Sequence, residues 1–88
     1  MIFITVARFK GKPTKDSLAQ STKLMEQLVQ EGGKILGVYW TLGRYDAVLI
    51  VEGKDEKTAM KTLIRWGDIV STETLVAVPR EEALKLVE

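Results

Sequence analysis

A chain of 88 residues, 45% hydrophobic and 28% charged, describes one small globular domain, and its net charge of +1 gives no general pull toward nucleic acid or membrane. It contains no cysteine and no histidine, which excludes disulfides, thiolate chemistry and the commonest metal and haem ligands. A core this small gains from oligomerisation.

Ile2 to Phe9 predicts a first strand, in which Ile2, Ile4 and Val6 alternate with Phe3, Thr5, Ala7 and Phe9. The segment from Met1 to Lys10 is too short and too alternating for a signal peptide, and no apolar run reaches the length of a membrane span. A cytoplasmic protein is expected. Gly11 and Pro13 break the strand, and Thr14 is placed to cap a helix that runs to about Glu31. Leu18, Thr22, Met25 and Val29 draw its apolar line, widened by Leu24 and Leu28. Gly32-Gly33 stops it.

Lys34 to Thr41 predicts a second strand, with Tyr39 and Trp40 on opposite faces. Gly43 serves a turn needing positive φ, and Asp46 to Glu52 is the third strand. Ala47 to Val51 is apolar on both faces, so this strand needs cover on two sides. Asp55 caps a second helix to about Trp66, whose apolar arc is Ala59, Met60, Leu63, Ile64 and Trp66. Lys57, Lys61 and Arg65 lie opposite that arc and read as its solvated face. They lack interleaved aromatics, so no nucleic-acid partner is expected. Ile69 to Val78 is the fourth strand, with Ser71, Thr72, Glu73 and Thr74 in its middle. Pro79 opens a short terminal helix from Arg80 to about Val87.

The order β-α-β-β-α-β plus a terminal helix predicts an α+β fold of the ferredoxin-like type. It implies a single domain over residues 1–88 with a four-stranded antiparallel sheet and two helices on one face. The first and third strands, which are the most continuously apolar, then occupy the centre. The helix-free face retains an apolar patch. A second copy closing over it, as a homodimer or a multiple of dimers, is the expected partner. Phe3 is the residue chosen to represent that patch.

Three segments carry a family resemblance: Glu31-Gly32-Gly33-Lys34-Ile35, Tyr39-Trp40-Thr41-Leu42-Gly43-Arg44-Tyr45-Asp46, and Thr72-Glu73-Thr74-Leu75-Val76-Ala77. Together, in order and at matching spacing, they resemble the GYD-domain family, one branch of the dimeric α+β barrel superfamily. The resemblance implies the same fold and face-to-face dimerisation, and it brings no established activity. The wider superfamily includes cofactor-free monooxygenases, lactone isomerases, haem enzymes and ligand-sensing regulatory domains. The chain departs from the family pattern at Lys10-Gly11-Lys12-Pro13, where the family has Thr-x-x-Gly, and lacks the usual arginine of the first helix. A ligand different from the family's follows if those groups line its pocket.

Tyr45 and Asp46 form the candidate catalytic pair. A phenol beside a carboxylate at a cavity mouth can exchange protons with a phenolic or enolisable substrate. The alternative is structural, since an aspartate after a turn commonly accepts backbone N–H bonds. Tyr39, Thr5 and Thr74 join them as candidate ligand contacts, each balanced by an ordinary role in strand packing. Asp46 and Glu73 do not have spacing that demands a cation, no phosphate-binding glycine loop follows a strand, and no metal or cofactor is expected. Two functions remain open. One is binding, with or without turnover, of a small apolar molecule in a cavity between sheet and partner. The other is a non-catalytic regulatory or structural oligomerisation module.

Overall fold

The computed structural model describes residues 1–87. Strand β1 (Ile2–Phe9) leads to helix α1 (Lys15–Gln30), then strands β2 (Lys34–Trp40) and β3 (Ala47–Glu52). Helix α2 (Glu56–Trp66), strand β4 (Val70–Ala77) and helix α3 (Arg80–Leu84) follow, and a single 3₁₀ turn covers Lys85–Val87. The sheet is wholly antiparallel in the order β2-β3-β1-β4. The two most apolar strands therefore occupy its centre, as expected.

Local chemistry sets the boundaries. At the start of α1 the Thr14 Oγ1 accepts from the Ser17 N–H at 3.1 Å, and the Ser17 Oγ accepts from the Thr14 N–H at 2.8 Å. This reciprocal box satisfies two otherwise orphaned donors. Asp55 caps α2 by accepting from the Thr58 N–H at 3.0 Å. That bond and the Thr58 hydroxyl hold its carboxyl below the usual range. Helix α1 ends at Gly32, whose φ of +98° suits glycine, and the Gly33 N–H returns to the Leu28 carbonyl at 3.0 Å. A Cβ on Gly33 would meet Leu28 Cδ1 at 2.6 Å, so the chain passes hard against the most buried side chain of the helix.

Strand pairing assigns the two faces. Thr5 stands opposite Leu49 and Thr74, so Phe3, Thr5, Ala7, Phe9, Leu49 and Val51 share the helix-covered face. Ile4 stands opposite Ile50 and Leu75, and Val6 opposite Val48 and Glu73. These form the face that no helix covers. Phe3, chosen from the sequence to represent the open patch, is 5% exposed and belongs to the covered core instead. Both alternating sets of β1 are apolar, so periodicity identified two faces without saying which one the helices take. In β2 the extra residue Leu36 makes a bulge between Ile35 and Gly37. Beyond it Tyr39 falls opposite Val48 on the open face, and Trp40 opposite Ala47 on the helix side.

Both helices are rotated from the phase that the apolar residues alone suggest. The inner stripe of α1 runs through Ser17, Ser21, Met25 and Leu28, while Thr22 and Val29 face water. Helix α2 turns Ala59, Thr62, Leu63 and Trp66 inward and leaves Met60 and Ile64 exposed. Polar residues on the inner faces hid the true phase.

The basic stripe of α2 also differs from expectation. Lys57 is solvated, but Arg65 is only partly exposed and, with Lys61, clasps Glu31 at the end of α1. Lys61 Nζ lies 3.0 Å from Glu31 Oε2, and the Arg65 guanidinium donates to both carboxylate oxygens. These donors lower the Glu31 pKa from 4.5 to about 2, the Arg65 hydrogen bond contributing most. The clasp therefore adds stability above pH 4.5 and loses it as the pH falls toward 2. Acid titration of unfolding is expected to show a steeper loss across that window in the wild type than in Glu31→Gln. Identical pH profiles would show that the exposed clasp contributes nothing.

Candidate functional site

Small side chains meet where sheet and helices face each other. Ala7 and Ala47 lie on the sheet side and Ser17 and Ser21 on α1. Close packing needs large groups opposite small ones. Here small faces small, and a cavity of about 220 Å³ results. Phe9, Leu49 and Trp40 line its sheet side, Leu18 and Met25 its α1 wall, and Leu63 and Trp66 its α2 wall. Phe9 and Trp40 meet edge to face, with ring centroids 5.3 Å apart and planes inclined at 65°. Lys10, Gly11, Lys12 and Asp68, all exposed, mark the mouth.

This cavity lies between sheet and helices within one chain, on the opposite side of the sheet from the expected partner. The segment Lys10-Gly11-Lys12-Pro13, where the sequence departs from the family pattern, forms part of its lining.

The five candidate residues do not converge. Thr5 lines the cavity, and its Oγ1 lies 2.8 Å from the Oγ1 of Thr74 on the neighbouring strand. This cross-strand pair satisfies a buried hydroxyl, since Thr5 is 8% exposed. Tyr39 lies on the open face, its ring over Gly37, where an added Cβ would stand 2.8 Å from Cε2. Tyr45 and Asp46 part company. The Tyr45 hydroxyl donates to Glu73 Oε2 at 2.9 Å, while the Arg44 guanidinium sits 5.6 Å from its ring centroid. Glu73 belongs to the open face. The Asp46 carboxylate accepts from the Phe9 N–H at 2.8 Å, and its own N–H donates to the Ala7 carbonyl at 2.8 Å. Asp46 thus extends the β1–β3 ladder past its last paired residue and holds Phe9 in position at the cavity.

Removing the Asp46 acceptor leaves the Phe9 N–H without its partner. Asp46→Ala is expected to cost about 1.5–3 kcal/mol, the range for a hydrogen bond to a charged group, and Asp46→Asn less than about 1 kcal/mol. Chemical denaturation of both variants checks this. Equal losses would show that the carboxamide does not take up the same bond.

Sequence reasoning missed Ser17, Ser21, Thr62 and Trp66 as cavity residues. A signal existed in the two serines spaced i, i+4 on an otherwise apolar helix face. Trp66 was assigned only to the core arc. Its indole Nε1 is buried and has no hydrogen-bond partner among the described residues. Among the described residues no group of three carboxylates is disposed to hold a metal ion, and no helix is long and apolar enough to cross a membrane.

An antiparallel β2-β3-β1-β4 sheet with two helices on one face and a ligand-sized apolar cavity beneath them defines a ferredoxin-like α+β domain. The chain belongs to the GYD-domain family, whose model matches residues 3–87. Solved structures share the fold at low identity. MtbAldR superposes with a TM-score of 0.58 at 11% identity, covering 88% of this chain and 50% of its own. FFRP-DM1 superposes with a TM-score of 0.53 at 21% identity, covering 89% of this chain and 100% of its own. The chain therefore spans about half the length of MtbAldR. No curated protein matches the sequence significantly.

Proposed function

We propose that this protein binds a small, largely apolar molecule in the cavity between its helices and its sheet. The observation that carries the proposal is the 220 Å³ space itself, walled by Phe9, Trp40, Met25 and Leu63. A dry cavity of roughly 150 Å³ accommodates benzene, so this one has room for about one ring and a short substituent. Largely apolar cavities with a few polar groups are the usual form of a small-molecule site. Asp46 enters this proposal as the support of Phe9 at the cavity rather than as a base, and Tyr45, whose hydroxyl donates to Glu73 on the open face, has no part in it. Titration with toluene and indole, followed by amide and methyl shifts in NMR, tests it. Shifts confined to the cavity walls are expected. A cavity that stays silent toward both at their solubility limits would refute the proposal.

A second reading, as an oligomerisation module, is favoured by the uncovered sheet face of Ile4, Val6, Val48 and Ile50. We propose that a second copy of the chain covers it, giving a homodimer or a multiple of dimers. The two readings are compatible, since the cavity and the open face lie on opposite sides of the sheet.

A further inference from the structure

We propose that the C-terminal arm, residues 79–87, packs on a second copy of the chain, in the groove between that copy's α2 and its edge strand β4. The proposal rests on the second-copy reading above and adds to it a contact outside the open sheet face.

The arm supplies the first argument. Its apolar residues Ala83, Leu84, Leu86 and Val87 recur at i, i+1, i+3 and i+4, the stripe of an amphipathic helix, and Glu81, Glu82 and Lys85 fall outside it. The chain itself does not cover that stripe: Leu86 is 81% and Val87 84% exposed, and Leu84 is exposed as well. Helix α3 has five residues and the 3₁₀ turn three, whereas isolated helices shorter than about 12 residues are marginal at best in water. The radius of gyration, 13.9 Å, exceeds the roughly 12 Å of a compact domain this long.

The groove supplies the second. Lys61 and Arg65 turn toward α1, where they hold Glu31, so Met60 and Ile64, one residue back from each, fall on the opposite flank of α2. Helix α1 contacts β2, at the far side of the sheet, so that flank overhangs the β4 edge. The levels match: Phe3 and Thr5 border one small void with Thr58, Ala59 and Thr62, and they pair with Val76 and Thr74 of β4. Met60, Ile64, Val76 and Val78 are all exposed and leave an apolar groove. Lys57, one turn before Lys61, is exposed at its rim. Lys57, Glu81 and Glu82 take part in no ion pair among the described residues, so the acidic first turn of the arm complements a basic rim. Leu75 and Ala77 belong to the open face, opposite Ile4 and Ile2, so the arm leaves from the border of that face. Its helical and 3₁₀ residues rise about 14 Å in all, more than the roughly 10 Å between facing sheets. The chain thus carries an apolar arm without a groove and an apolar groove without an arm. A dyad that sets two β4 edges side by side fills both.

Mixed copies test the exchange. Wild-type chains with isotope-labelled methyl groups are combined with unlabelled Lys85→Cys chains carrying a nitroxide, the native sequence having no cysteine to compete for the label. Broadening in the labelled copies then arises only between chains. The methyl resonances of Met60 and Ile64 are expected to broaden, and those of Leu18 on α1 to stay sharp. In the double variant Leu86→Asp with Val87→Asp, self-association should weaken at least about tenfold, because two carboxylates would be desolvated in the groove. Near-ultraviolet circular dichroism of the core should not change. A dimer by light scattering in which Met60 and Ile64 stay sharp, or one that the double variant does not weaken, overturns the arm exchange and leaves the open-face reading standing. A wild type that is monomeric at tens of micromolar overturns both.

Discussion

Ile4→Glu is expected to convert the protein to a folded monomer. Ile4 lies at the centre of the open face, on a central strand, with Ile50 and Leu75 beside it on the neighbouring strands. In the proposed dimer a carboxylate there would be desolvated without a partner, which costs several kcal/mol. Each 1.4 kcal/mol is tenfold in affinity, so dimerisation should weaken by at least about 100-fold. In an isolated chain the same side chain faces water, and the helix-side core is untouched. Light scattering across a concentration series, with circular dichroism of both proteins, makes the comparison. A wild type that is monomeric at tens of micromolar, or a variant that remains dimeric, removes the sheet face as the interface.

Phe3→Ala is expected to act the other way, on folding rather than on assembly. Phe3 is 5% exposed and lies under α2, close enough to Gly53 that a Cβ there would stand 3.3 Å from its ring. Truncating a buried phenylalanine costs about 3–5 kcal/mol through lost burial and the void left behind. Small domains hold only about 5–15 kcal/mol in total, so the loss should be visible as a large fall in the denaturation midpoint. Since self-association adds apparent stability, both proteins need comparison at one concentration. A loss below about 1 kcal/mol would mean that the core relaxes into the space, contrary to the close packing at Gly53.

The contrast between Ile4 and Phe3 shows how far the sequence could be read. Adjacent sets of β1 are both apolar, so the strand announces two buried faces. Which set meets the helices depends on register and on the hand of the connections, and a one-residue difference exchanges the faces. The pair Tyr45–Asp46 has the same character. Their proximity along the chain suggested joint chemistry, yet neighbouring residues near a strand start diverge, and these two reach Glu73 and the Phe9 N–H on different strands.

By itself the sequence determined the element order, the two helix caps at Thr14 and Asp55, the glycine stop after α1 and the central position of β1 and β3. All of these follow from local backbone chemistry or from how continuously apolar a strand is, which short-range rules capture. Only the tertiary structure decided the rotation of α1 and α2, the clasp on Glu31, and the cavity where Ala7, Ala47, Ser17 and Ser21 meet. A void is a deficit of volume shared by residues distant in the chain. It has no periodic signature, because each small side chain is ordinary in its own segment and makes space only when the others are brought opposite it.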